Sequence, residues 1–124
     1  MRIFKTKWFA RFARKEGVAD AALRDAVRRI KAGHIDADLG GGIIKQRVAR
    51  LGKGKSGGYR TIVACRVGDR AVFLHGFSKS DRANIDDADL ERLKSAAKQV
   101  LSWDEAQVAT QLKSGAWIEI DGDV

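Results

Sequence analysis

The sequence predicts an α+β fold: a small antiparallel-rich β-sheet, built as a meander, with two N-terminal helices packed on it and C-terminal helices. Three observations predict it. Residues 43–82 hold three short runs rich in β-branched and aromatic residues, separated by glycine turns. Leu23, Ala26, Val27 and Ile30 fall at i, i+3, i+4 and i+7, the spacing of one apolar helical stripe. Leu90, Leu93, Ala97, Val100 and Leu101 make a second stripe near the other end. At 124 residues the chain reads as a single domain over 1–124, with a core over 1–85 and a C-terminal helical extension over 86–124.

Each element has its own signal. Arg2 to Thr6 partly alternates and suits a first strand. Trp8, Phe9 and Phe12 recur at helical spacing until Gly17, which predicts a short helix whose aromatics enter the core. Asp20 is placed to N-cap the second helix, and Gly33 stops it. Residues 34–42, ending in Gly40-Gly41-Gly42, read as a flexible loop.

Ile43 to Arg50 alternates as a strand. Ile44 and Val48 point one way, while Lys45 and Arg47 point the other, about 7 Å apart. A glycine-rich loop over 52–58 carries Lys53 and Lys55. Tyr59 to Val67 is the strongest strand signal, with Tyr59, Thr61, Val63, Cys65 and Val67 on one face and Arg60, Ile62, Ala64 and Arg66 on the other. Gly68-Asp69 reads as a two-residue hairpin turn. Ala71 to Phe77 returns, with Phe73, His75 and Phe77 on one face and Val72 and Leu74 on the other.

Asp86 caps the helix that follows, with Ile85 and Leu90 placed as a hydrophobic staple. Asp86, Asp87 and Asp89 sit at the positive end of its dipole. Ser102-Trp103-Asp104-Glu105 reads as a capping box opening a last short helix, which Gly115 ends. Trp117 to Ile120 suits a small terminal strand.

Hydrophobic content of 44% and charged content of 32% fit a globular protein. No apolar run is long enough to span a membrane, and the first residues lack the apolar stretch of a signal peptide. A single cysteine forms no internal disulfide, so a cytoplasmic location is the expectation. Net charge is +8, unevenly spread. Residues 1–82 hold 20 Lys and Arg against 7 Asp and Glu, a net +13, and residues 83–124 hold 4 against 9, a net −5. A cationic body suits a polyanion, and nucleic acid is the commonest one.

Several familiar chemistries are disfavoured. Gly54-Lys55-Ser56 ends like a phosphate-binding loop, but Ala49 stands where the first glycine is required, and a strand follows where that loop needs a helix. His34, His75 and Cys65 show no metal-ligand spacing. His75 reads as a core or rim histidine, and Cys65 as a small buried apolar residue. What remains is a set of cations: Lys45, Arg47, Lys53, Lys55, Arg60, Lys79 and Arg82. Each alone reads as a solvated charge. In a meander, however, the loop after the first of these strands and the chain after the last can share one end of the sheet, and the set then converges on one site.

Ile43 to Val48, the glycine-lysine loop, Gly57-Gly58-Tyr59-Arg60, and Phe77-Ser78-Lys79-Ser80-Asp81-Arg82 together resemble the RelE/HigB-type toxins of bacterial type II toxin–antitoxin modules, of the RelE/ParE superfamily. The resemblance covers the middle 50 or so residues, and the flanking helices fit the family's order. It implies an endoribonuclease that cuts messenger RNA in the ribosomal A site and blocks translation, needing no metal or other cofactor. Arg60 would hold the scissile phosphate, with Lys79 and Arg82 stabilising the leaving group or the pentavalent phosphate. Lys45, Arg47, Lys53 and Lys55 would bind the RNA backbone, one of them assisting proton transfer from the 2′-hydroxyl.

Some members place a tyrosine shortly after Lys-x-x-Arg. Here that stretch is Ile85-Asp86-Asp87, and the one tyrosine, Tyr59, adjoins Arg60 and joins the RNA-binding set. The general base stays open. The implied partners are messenger RNA on the ribosome and a cognate antitoxin of helix-turn-helix type, with no membrane. Three alternatives carry different expectations: a ParE-like toxin that poisons gyrase, a non-catalytic nucleic-acid-binding module of the same fold, and a plain interaction domain.

Overall fold

The computed structural model describes residues 1–50, 54–78, 86–122 and 124, with the backbone alone for Arg50 and residues 54–57. The elements run β1 (Arg2–Thr6), α1 (Lys7–Glu16), α2 (Asp20–Lys31), β2 (Ala37–Gly40), β3 (Ile43–Arg50), β4 (Gly54–Arg66), β5 (Arg70–Ser78), α3 (Asp87–Ser102), α4 (Glu105–Ser114) and β6 (Trp117–Ile120). The strands form one six-stranded sheet in the order β2-β3-β4-β5-β1-β6. β3 to β5 make the antiparallel meander that the glycine turns predict, and β2 adds an unexpected strand at its edge. β1 joins β5 in parallel, and β6 closes the far edge antiparallel to β1.

Helices cover both faces. Phe9, Ala13, Leu23, Val27 and Ile30 of α1 and α2 bury against Ile44, Val48, Val63 and Phe73. On the opposite face, Ala97 and Val100 of α3 and Val108 of α4 bury against Ile43, Ile62, Ala64 and Val72. The central strands are therefore apolar on both sides, as burial between two layers requires.

Thr6 caps α1 by accepting from the Phe9 N–H at 3.1 Å, and Gly17 ends that helix at φ 73°, a left-handed conformation that glycine adopts without a Cβ penalty. Trp8 departs from expectation. Phe9 is wholly buried, but Trp8, one helical step round, stays 44% exposed. Asp20 is not the N-cap of α2. Ala19 holds that position with no side-chain cap, and Asp20 opens the helix, taking an ion pair from Lys5 at 2.8 Å instead.

Residues 34–42 are not simply a loop. Ala37–Gly40 forms the edge strand β2, and Gly40, Gly41 and Gly42 all take positive φ (85°, 62° and 83°) to turn into β3. Three residues, Val67, Gly68 and Asp69, connect the paired Arg66 and Arg70, so the expected two-residue turn is one longer; Val67 leaves the strand and lies exposed.

A bulge in β5 corrects the expected face assignment. Val63 pairs with Phe73 but Ile62 pairs with His75, leaving Leu74 as the extra residue. Phe73 consequently faces α1 and α2, while Phe77 joins the α3 side.

Asp86 caps α3 as expected, accepting from the Asp89 N–H at 2.8 Å. Ile85, the other half of the expected staple, lies outside the described residues. The capping box of α4 sits two residues later than expected. It joins Asp104 and Gln107, through reciprocal bonds of 2.8 and 2.9 Å. No helix among the described residues is long and apolar enough to cross a membrane.

Candidate nucleic-acid interface

β3 and β4 position the described cations. Their register sets Lys45 opposite Ile62 and Arg47 opposite Arg60, and Arg60 in turn pairs with Phe77 of β5. Alternation then places Lys45, Arg47 and Arg60 on one face, the side of Ile62 and Phe77. This is the shared face that the sequence pattern predicts. Lys45 and Arg60 are half-buried and Arg47 is exposed.

The cations differ in their partners. Arg47 lies against Asp36, with Nε and Nη2 each 3.3 Å from a carboxylate oxygen. The Arg47 backbone N–H also donates to that carboxylate. Partial burial works against ionisation of Asp36, but the bonds from the Arg47 backbone and guanidinium, with the charge of Arg29, outweigh it and hold the carboxyl below its ordinary range. Asp36 is itself fixed, because its N–H donates to Gln46 at 3.0 Å. Gln46 is fully buried and donates to the carbonyls of His34 and Ala26 at 3.0 and 3.3 Å, tying the segment before β2 to α2. Among the described residues, no carboxylate forms an ion pair with Arg60.

Tyr59 does not join these cations. It is 2% exposed and lies on the opposite face, among residues of α1 and α2. Its hydroxyl donates to Glu16 at 2.9 Å, and the Phe12 ring meets it edge-on. Strand alternation alone separates Tyr59 from Arg60, and adjacency in sequence is what suggested a joint role. Lys53, Lys79 and Arg82 lie outside the described residues. Lys55, expected on a glycine-rich loop over 52–58, falls instead in β4, which already begins at Gly54, within the part of it where the backbone alone is described.

Among the described residues, no group of three or more His, Cys, Asp and Glu is placed to hold a metal ion. Cys65 is buried on the face of Val63, and burial pushes its thiol up to about 11.

The family profile described as the RelE toxin of the RelE / RelB toxin–antitoxin system matches residues 1–120. The chain belongs to the RelE toxin family. No curated protein matches it. As a RelE-family toxin it belongs to a toxin–antitoxin system, and a cognate antitoxin is its implied partner.

One feature of this RelE-family chain had no part in the expected site. A cleft of about 510 Å³ opens between α1 and the end of β5, lined by Trp8, Arg11, Phe12, Lys15, His75 and Phe77. Its signal lies in the sequence, since Trp8, Arg11 and Lys15 are spaced i, i+3 and i+7 along one helical face.

Proposed function

We propose that this RelE-family toxin is a ribosome-dependent endoribonuclease that cuts messenger RNA and so blocks translation. The observation that carries the reading is the placement of Arg60 beside Arg47 and Lys45 on one sheet face in a chain of this family. In the proposed reaction the 2′-hydroxyl oxygen attacks the adjacent phosphorus as it loses its proton. The bond from phosphorus to the 5′-oxygen breaks, and that oxygen takes up a proton. Charge grows on the non-bridging oxygens in between. A guanidinium with no competing carboxylate is the group suited to stabilise it, and Arg60 meets that condition among the described residues.

Arg47 and Lys45 would bind the flanking backbone, with Asp36 holding the Arg47 guanidinium in place. Lys53 and Lys55 would extend that contact, and Lys79 and Arg82 would stabilise the leaving oxygen. No metal is assigned a step. The antitoxin, proposed to be a helix-turn-helix protein, would cover this face.

Induced expression of wild type and Arg60→Ala, with message ends mapped by primer extension and translation monitored, tests the reading. Cuts that require translation and vanish in the variant support it. Growth arrest without cuts, or cuts that persist in Arg60→Ala, overturns it.

A further inference from the structure

The outer side of α1 is unusually cationic. Lys7, Trp8, Arg11, Arg14 and Lys15 are its exposed residues, and none of its four cations forms an ion pair with a carboxylate among the described residues. Set among them is an aromatic array. The Trp8 ring stacks on His75 at 4.5 Å and 25°, and on Phe12 at 5.7 Å and 8°. Indole is the largest aromatic surface available, and leaving it 44% exposed forgoes burial that Phe9, its neighbour, takes in full.

The array lies beside the proposed cleavage face. The last β1–β5 pair is Lys5 with Phe73, so β5 runs on beyond its partner. There His75, Gly76 and Phe77 form the floor of the cleft. Phe77 also pairs with Arg60. A strand crossing Arg60 therefore reaches the Trp8 cleft by passing over a single β-strand. Among the described residues the cleft holds one carboxylate, Glu16, which is engaged by the Tyr59 hydroxyl, and Arg11 and Lys15 outnumber it at the rim.

We propose that this cleft is a base-stacking subsite for single-stranded RNA, taking a nucleotide of the strand that runs past Arg60. It rests on the reading of this toxin as acting on RNA. Stacking on an exposed aromatic ring, with cations tracking the backbone beside it, is the general chemistry of sequence-tolerant single-strand binding. The volume of the cleft is in the range of small-ligand sites. Arg11 and Lys15, one turn apart, would contact phosphates on either side of the stacked base.

The test measures binding of a fluorescent oligoadenylate of about eight nucleotides in the Arg60→Ala background, where the strand stays intact. Trp8→Ala is expected to weaken binding about tenfold without changing its salt dependence, and Trp8→Phe to keep most of the affinity. Arg11→Gln with Lys15→Gln is expected to flatten the salt dependence by up to about two ions. Unchanged affinity in Trp8→Ala overturns the proposal and leaves the cleft to a polypeptide. So does an equal loss in Trp8→Phe and Trp8→Ala, since a phenyl ring still stacks. The outcome is separable from that of the cleavage reading. If wild type cuts no message yet binding depends on Trp8, the endonuclease reading falls and the subsite stands. If wild type cuts and Trp8→Ala binds as tightly as its parent, the subsite alone falls.

Discussion

Arg47 and Arg60 stand directly opposite each other across β3 and β4, two guanidiniums on one face of the sheet. Like charges in directly opposed positions destabilise a sheet. Asp36 offsets the charge of Arg47, and no carboxylate does so for Arg60 among the described residues. Under the proposed function a bound phosphate would supply the missing charge and offset the cost of this pairing.

Arg60→Ala is therefore expected to separate activity from stability. Message cleavage falls about 10²- to 10³-fold, the cost of removing one preorganised donor to a developing anion. Stability stays within about 0.5 kcal/mol of wild type, because a half-exposed side chain with an opposed like charge contributes little. Thermal unfolding and mapped message ends, measured on the same two proteins, check both halves.

Asp36→Asn is expected to tighten RNA binding, since the amide no longer neutralises Arg47. The salt slope should steepen by about one ion. The same substitution gives a pH test. The Asp36 carboxyl is held below its ordinary value of 3.8, so its ionised form stabilises the fold. That contribution is fully present above the unfolded value and is lost as pH falls through the lower folded value. The stability gap between wild type and Asp36→Asn should be constant near neutrality and close below about pH 4. Denaturant melts at pH 7, 5 and 3 read it directly.

Tyr59→Phe separates adjacency from geometry. If Tyr59 worked on RNA, its hydroxyl would matter to cleavage. It is buried on the far face and bonded to Glu16, so the expected result is unchanged cleavage and a stability loss of about 1 kcal/mol, the net worth of one hydrogen bond.

Most of the sheet was legible in sequence because β3, β4 and β5 carry period-2 patterns long enough to override alternatives. The shared face of Lys45, Arg47 and Arg60 follows from that same alternation. Four features escaped it for physical reasons. β2 is four residues at an edge, Ala-Asp-Leu-Gly, with too little apolar patterning to register as a strand. The bulge at Leu74 reverses the facing of everything after it, and counting by twos cannot detect one extra residue. The caps at Asp20 and Ser102 escape residue type, because backbone geometry sets where a helix starts: Ala19, with no side-chain acceptor, holds the N-cap of α2, and Asp104, two residues past Ser102, holds that of α4. The exposure of Trp8 escapes the pattern because its spacing with Phe9 and Phe12 marks a helix, not which arc of that helix the sheet covers.

Cys65 is expected to resist thiol reagents at neutral pH in the folded protein and to label on unfolding. Burial pushes its thiol from 9.0 up to about 11, so the nucleophilic thiolate is scarce near neutrality. The linkage runs opposite to that of Asp36. The folded value is raised, so the associated stability is fully present below about pH 9 and is lost as pH rises toward 11. Cys65→Ala should abolish labelling and leave growth arrest intact, which toxicity assays and reagent kinetics check together.

Gly76→Ala tests whether the aromatic array depends on the close approach of α1 to β5. Gly76 pairs with Thr61, and a Cβ there would run into the Phe12 ring. Phe12 has little room to give, because it packs on Phe9 at 5.6 Å and on Tyr59 at 5.4 Å, both buried. The added methyl must therefore push the ring outward or lift the helix, at a cost of about 1–3 kcal/mol for overpacking a tight contact. Phe12 also stacks on Trp8, so any shift reaches the exposed indole. The expected result is a lower melting temperature together with altered quenching of Trp8, resolved in a background where Trp103 and Trp117 are replaced by phenylalanine. A melting temperature equal to wild type would mean that α1 rides freely over β5, and the stacked geometry of Trp8, Phe12 and His75 would then not be enforced by the sheet.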